Sequence, residues 1–131
     1  MANAKTKAKV KAKAKPKLER EAVATMEELI DALAEARDEV RRTEQSLRRT
    51  LRRIDRGDSV ASAVITSDPA SLRESYDSAL EVVAESRHRL RSLVFALALD
   101  EGLSIGDLGR AWGVSRQLAS RYVKEVAATR S

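Results

Sequence analysis

The chain has 131 residues, about one domain's length, and its apolar fraction of 43% is too high for a fully disordered chain. It has one Trp, two Tyr and one Phe, and 34% of its residues are charged, which argues against a thick aromatic core. The net charge is +5, and residues 1–18 supply more than this excess, because they contain seven lysines and no acid.

The absence of cysteine and the short apolar runs exclude several classes of protein. There is no cysteine, so neither a disulfide framework nor a thiolate metal site can form. The longest apolar run, Leu93–Leu99, is far shorter than the roughly 20 residues that cross a bilayer. No apolar segment follows the basic N-terminus as it would in a secretory signal. We therefore expect a cytoplasmic protein that has no contact with a membrane.

The N-terminal segment carries a lysine at every second position. These residues are Lys5, Lys7, Lys9, Lys11, Lys13, Lys15 and Lys17. Their charges repel one another and form no apolar stripe, so residues 1–20 are predicted to be a disordered tail. Clustered cations bind polyanions by releasing counterions, without reading a base sequence. The lysines are predicted to make non-specific DNA contacts, and the alternatives are a solubility tail and a eukaryotic nuclear-import signal.

A first long helix is predicted from Thr25, where "TMEE" matches a capping box, to about Arg56, where Gly57 can end it. Its apolar residues repeat as the heptads of a coiled coil. One row of the heptad is Met26, Leu33, Val40, Leu47 and Ile54, and the other is Leu29, Ala36, Thr43 and Thr50.

A second long helix is predicted to begin at Asp68-Pro69, after a loop at 57–68. Its apolar steps of four and three residues indicate that residues 25–100 form an antiparallel coiled-coil hairpin. The register that fits best pairs Leu29 with Leu97 and Leu47 with Ala79. The same rows could instead join two chains, so a homodimer through the coiled coil remains an alternative.

The C-terminal segment contains two shorter helices. Ser104 and Asp107 form a capping box for the first, and Gly113 can adopt the left-handed conformation of a tight turn. Ser115 caps the second. Its inward stripe is Leu118, Ala119, Tyr122, Val123 and Val126. Gly106 inside the first short helix should cost about 1 kcal/mol relative to alanine, for no reason evident in the sequence.

The stretch "IGDLGRAWGVSRQLASRYVK" resembles the helix-turn-helix of bacterial transcription regulators, of the promoter-reading last domain of sigma factors and of resolvases. Gly109 stands where that motif has a small residue, and Gly113 stands in its turn. The core positions of the motif hold Leu108, Trp112 and Val114. Two residues depart from the pattern, since Trp112 replaces a leucine and Ala119 a larger aliphatic residue. The resemblance implies an all-α fold in which residues 88–131 form a three-helix DNA-binding unit.

The resemblance also implies which residues contact DNA. In such motifs the second helix enters the major groove with its N-terminal residues at base edges. Arg116 and Gln117 are the expected readers, because arginine pairs with guanine and glutamine with adenine. Ser120 and Arg121 follow on the same face, and Ser115 and Lys124 suit phosphate contacts. In composition the lysine tail looks like those of linker histones and some nucleoid proteins.

The sequence as a whole predicts a bacterial or phage protein that binds double-stranded DNA in the nucleoid, as a transcription regulator or a nucleoid-associated protein. We expect no enzyme activity, no cofactor and no metal site: His88, the only histidine, lies opposite the heptad rows and should face solvent. The alternative is a coiled-coil interaction module that docks on a partner such as RNA polymerase and binds DNA only secondarily. A structural coating protein is a third interpretation.

Overall fold

A computed structural model describes the backbone of residues 2–130 and the side chains of residues 16–128. The described backbone contains five α-helices and no strand, which confirms the all-α fold class. The helices are α1 (Ala2–Asp55), α2 (Val60–Thr66), α3 (Pro69–Asp100), α4 (Ile105–Trp112) and α5 (Arg116–Arg130). Within the described part, none of these helices combines the length and the apolar character needed to cross a membrane.

Helix α1 begins well before the predicted start. Thr25 lies inside the helix, where its buried hydroxyl donates a hydrogen bond of 2.8 Å to the carbonyl of Glu21. The predicted disorder of residues 1–20 is wrong for residues 16–20, because Leu18 is buried. Alanine and lysine are strong helix formers, and Leu18 finds an apolar partner in Leu93, so extending the helix is favourable. The side chains of Lys5 to Lys15 lie outside the described residues.

The chain divides into two compact units, and the first comprises residues 28–86. Its buried side chains from α1 are small: Ala32, Ala36, Ser46 and Thr50. The predicted row through Leu33 and Leu47 is wrong, since both side chains are at least half exposed. Small side chains let two helices approach closely, so the larger residues of the next row are displaced to the flank.

The predicted register of the hairpin is also wrong. Ala79 of α3 lines a shallow groove together with residues 35–42 of α1, so it does not face Leu47. In the second unit, Leu97 packs against the cluster of Leu18, Ala22 and Leu93 rather than against Leu29. Both observations move α1 along α3 by about two and a half helical turns relative to the prediction. The small buried row therefore determined the register.

The predicted loop at 57–68 contains α2. Ser59 caps it by accepting a hydrogen bond from the backbone N–H of Ser62, and Ala63 is completely buried. Seven residues are too few for periodicity to reveal the helix in the sequence. The neighbouring boundaries agree with prediction, because Gly57 has a positive φ of 110° just after α1 and Pro69 is the first residue of α3.

The second unit comprises residues 1–27 and 87–131. Its main core contains Phe95 and Ala98 of α3, Leu108 of α4 and Ala119 of α5, all buried. Five partly buried side chains pack around this cluster: Leu99, Ile105, Val114, Tyr122 and Val123. The end of α3, α4 and α5 thus share one core, which positions the site described next.

Candidate nucleic-acid interface

The first element of the site is the N-terminus of α4, where the predicted capping box is present. The hydroxyl of Ser104 accepts the backbone N–H of Asp107 at 3.0 Å, and the carboxylate of Asp107 accepts the backbone N–H of Ser104 at 2.9 Å. Arg110 donates a further bond to this carboxylate. The pKa of Asp107 lies below its usual 3.8. The backbone N–H of Ser104 contributes most to this shift, followed by the hydroxyl of Ser104 and then by Arg110. These hydrogen bonds stabilise the first turn of α4.

The second element is the turn between α4 and α5. A Cβ atom on Gly109 would lie 2.9 Å from the carbonyl oxygen of Val114, closer than real Cβ atoms approach. The backbone N–H of Val114 donates a 2.9 Å bond to the carbonyl of Gly109, and Gly113 has a φ of 67°. Both glycines serve as the sequence predicts: Gly109 allows a close approach, and Gly113 allows a left-handed turn.

The two departures from the helix-turn-helix pattern involve the same core. Ala119 is completely buried in the cluster that contains Phe95, whose large ring supplies volume that a small residue at 119 leaves unfilled. Trp112 contacts Phe95 in an edge-to-face arrangement, with ring centroids 4.8 Å apart. Trp112 is nevertheless 41% exposed, so the interpretation of this residue as a core position is only partly correct.

The third element is the outer face of α5. Ser115 caps this helix by accepting the N–H of Leu118 at 3.1 Å. An open, shallow groove is lined by Arg116, Gln117, Ser120, Arg121, Lys124 and, from α4, Ile105. The structure therefore brings together five of the six residues predicted to contact DNA, and Ser115 is exposed immediately before them. The groove lining contains three cationic side chains and no carboxylate.

Six of the seven lysines predicted to contact DNA lie outside the residues whose side chains are described. Only Lys17, of the seven predicted DNA contacts, has a described side chain; it is exposed and does not line the groove. No cluster of three metal-ligating side chains occurs among the described residues.

Sequence reasoning missed a polar network between α3 and α5. The Nε2 atom of His88 lies 2.8 Å from a carboxylate oxygen of Glu125, and its Nδ1 atom lies 2.6 Å from Arg91. The guanidinium of Arg91 in turn lies over the ring of Tyr122, 3.7 Å from its centroid. The prediction that the His88 side chain is exposed to solvent is confirmed, since 46% of it is exposed. Its contacts with Glu125 and Arg91 were not predicted.

This network has a consequence for the charge of α5. Glu125 is the single acidic residue in the sequence of that helix, and His88 holds it beside α3.

The spacing of His88 and Arg91, and of Tyr122 and Glu125, was the signal available in the sequence, because residues three apart share a helix face. Comparisons with protein-family models, curated proteins and solved structures find no match to this chain.

Proposed function

We propose that this chain binds double-stranded DNA as a transcription regulator or nucleoid-associated protein, and reads the major groove with α5. The observation that supports the proposal most strongly is the groove on α5, where Arg116, Arg121 and Lys124 lie together without a carboxylate. A face of this charge attracts the phosphate backbone. The turn at Gly109 and Gly113 presents α5 as an exposed second helix, as major-groove readers require.

Residues at the start of α5 contact bases in this proposal, and other residues of the same face contact phosphates. Arg116 and Gln117 begin α5 and are exposed, so their bidentate side chains can reach base edges. Ser115 keeps a hydroxyl hydrogen free to donate to a phosphate, because its oxygen serves the cap as an acceptor. Lys124, two turns further along, suits a phosphate contact that carries no sequence information.

The tail lysines add sequence-independent affinity in this proposal. Each phosphate neutralised by a lysine steepens the dependence of affinity on salt, whatever the base sequence. A test of this role must leave Leu18 in place, because it is part of the packed cluster with Ala22 and Leu93. Deletion of residues 2–15 meets that condition.

The deciding experiment measures affinity by fluorescence anisotropy for a set of selected and scrambled duplexes at several salt concentrations. The double variant Arg116→Ala with Gln117→Ala should lose discrimination by about 1–3 kcal/mol for each base that it can no longer read. Arg73→Ala, an exposed arginine of α3, is the matched charge control and should leave discrimination unchanged. An unchanged ranking of duplexes in the double variant would contradict the assignment of readers.

The interaction-module alternative is supported by a different observation. Helix α1 exposes large apolar side chains such as Ile30 and Leu51, which a partner protein could cover. Absence of any DNA binding at low salt would favour this function, with RNA polymerase as one partner to test.

A further inference from the structure

Five large apolar side chains are exposed along one side of α1 within the unit of residues 28–86. We call this surface the outer stripe; its apolar members are Ile30, Leu33, Val40, Leu47 and Leu51. Their exposed fractions run from 47% for Val40 to 64% for Ile30. Single exposed apolar residues are ordinary, but five large ones along one side of a helix, with two charged residues between them, suit an interaction site.

The outer stripe is distinct from the face that α1 uses within the chain. Leu33 and Leu47 each follow a buried small residue, Ala32 and Ser46. One residue along a helix corresponds to a rotation of about 100°, so the stripe lies about a quarter turn from the buried face. A second surface can therefore cover the stripe without disturbing the packing of the chain.

The stripe has the spacing of a coiled-coil interface. Leu33, Val40 and Leu47 lie seven residues apart, and Ile30, Arg37, Glu44 and Leu51 form a second row with the same period. The two rows alternate at steps of three and four, which is the heptad pattern. From Ile30 to Leu51 the stripe is about 30 Å long.

The order of side chains in the stripe is nearly the same in both directions from Val40. Leu33 and Leu47 lie seven residues on either side, and Ile30 and Leu51 lie at the two ends. Arg37 and Glu44 occupy corresponding central positions with opposite charges. If two copies lie antiparallel with a two-fold axis near Val40, apolar ends meet apolar ends and Arg37 of each copy approaches Glu44 of the other.

We propose that the outer stripe binds a second copy of this chain in this antiparallel arrangement. A two-fold interface must be complementary to itself. The stripe meets this requirement both in the order of its apolar side chains and in the placement of its two charges. A parallel arrangement would instead place Arg37 opposite Arg37 and Glu44 opposite Glu44. Glu44 pairs with Arg48 at 2.8 Å within the chain, but both side chains are more than half exposed, so that pair is weak enough to exchange partners.

The dimer is independent of the proposed DNA binding, since it rests on α1 alone. If both proposals hold, the dimer supplies two copies of α5 related by a two-fold axis, and the preferred DNA site is an inverted repeat. Measurements of mass in the absence of DNA therefore test the dimer separately.

The first test is sedimentation equilibrium of the full chain without DNA. A concentration-dependent dimer is expected, and Val40→Glu should raise its dissociation constant about 100-fold, because each copy loses the burial of a valine and two glutamates meet at the axis. Leu80→Glu places the same charge on an exposed leucine of α3 and should leave the dimer intact. A monomeric parent chain, a dimeric Val40→Glu variant or a monomeric Leu80→Glu variant would each overturn the proposal. Circular dichroism of Val40→Glu checks that its helices persist.

The second test exchanges the charges. Arg37→Glu makes both central positions acidic and Glu44→Arg makes both basic, so each variant alone should dimerise more weakly than the parent. An equimolar mixture of the two should form a heterodimer, and the double exchange in one chain should restore the homodimer. Variants that dimerise as well alone as in the mixture would show that these charges do not meet.

The third test determines direction, and it uses the absence of cysteine from the sequence. Under mild oxidation, a mixture of Ile30→Cys and Leu51→Cys chains should form a mixed disulfide. Either chain alone should cross-link slowly. Rapid self-cross-linking of Leu51→Cys would indicate a parallel dimer and contradict the proposed arrangement.

Discussion

Two glycines one turn apart in α4 allow the packing of α4 against the turn that leads to α5 to be measured directly. Replacing either by alanine removes the same flexible residue from the same helix, which stabilises that helix by about 1 kcal/mol. Their surroundings differ. A Cβ on Gly106 would have the end of the Arg110 side chain at 3.5 Å as its nearest neighbour, whereas a Cβ on Gly109 would meet the backbone oxygen of Val114 at 2.9 Å.

The two variants are therefore expected to differ in stability. Gly106→Ala should raise the free energy of unfolding by about 1 kcal/mol, because ordinary van der Waals contact leaves the propensity gain intact. At Gly109 the contact is with backbone that cannot rotate away, and overpacking of this kind costs about 1–3 kcal/mol. Gly109→Ala should therefore be less stable than Gly106→Ala by about that amount, since the propensity gain is common to both.

Urea unfolding followed by circular dichroism measures the difference, and hydrogen exchange of the α4 and α5 amides locates it. Equal stability of the two variants would refute the close approach at Gly109. A destabilised Gly106→Ala variant would show that the position is constrained by something other than the contacts described. In either variant, DNA affinity reports whether the turn still presents α5 correctly.

Three further predictions concern the same unit. Folding lowers the pKa of Asp107, so its stabilising contribution is fully present above pH 3.8 and declines as the pH falls toward the folded pKa. Acid titration of unfolding should show this loss, and Asp107→Asn should be less stable at neutral pH and lack that part of the slope. His88→Ala should lower the free energy of unfolding by about 0.5–1 kcal/mol and increase hydrogen exchange in α5, because it removes the half-exposed contact of the imidazole with the carboxylate of Glu125. Unchanged exchange would contradict a role in holding α5. Lys124→Ala should reduce the slope of log affinity against log salt by about 1, and deletion of residues 2–15 by more, while both keep the ranking of duplexes; a changed ranking would mean that these residues read bases.

Local signals in the sequence predicted the boundaries of several elements. Gly57 and Pro69 mark the end of α1 and the start of α3, and the capping box at Ser104 and the N-cap at Ser115 mark the starts of α4 and α5. Such signals depend on backbone conformation and on hydrogen bonds within a few residues, so no tertiary contact is needed to interpret them. The grouping of Arg116, Gln117 and Arg121 on one face follows equally from helical periodicity.

Other features could not be obtained this way. Three features depend on residues that are distant in the sequence. They are the start of α1, the short helix around Ala63 and the contact between His88 and Glu125. The capping box at Thr25 predicts that α1 starts there. The helix instead continues towards the N-terminus, because Leu18 and Ala22 pack against apolar residues of α3. The polar network on α3 becomes visible only when α5 is packed beside it.

The sequence by itself determined that α1 is an amphipathic helix with a seven-residue repeat, because the period is a property of the chain alone. The two predicted rows fared differently: the row with Ala36 and Thr50 is buried, whereas Ala32 and Ser46 take the inward place predicted for Leu33 and Leu47. Tertiary packing decided that the small row lies inside, since two helices in close contact have room only for small side chains between them. That decision leaves the large apolar row on the surface, where a second copy of the chain can bind.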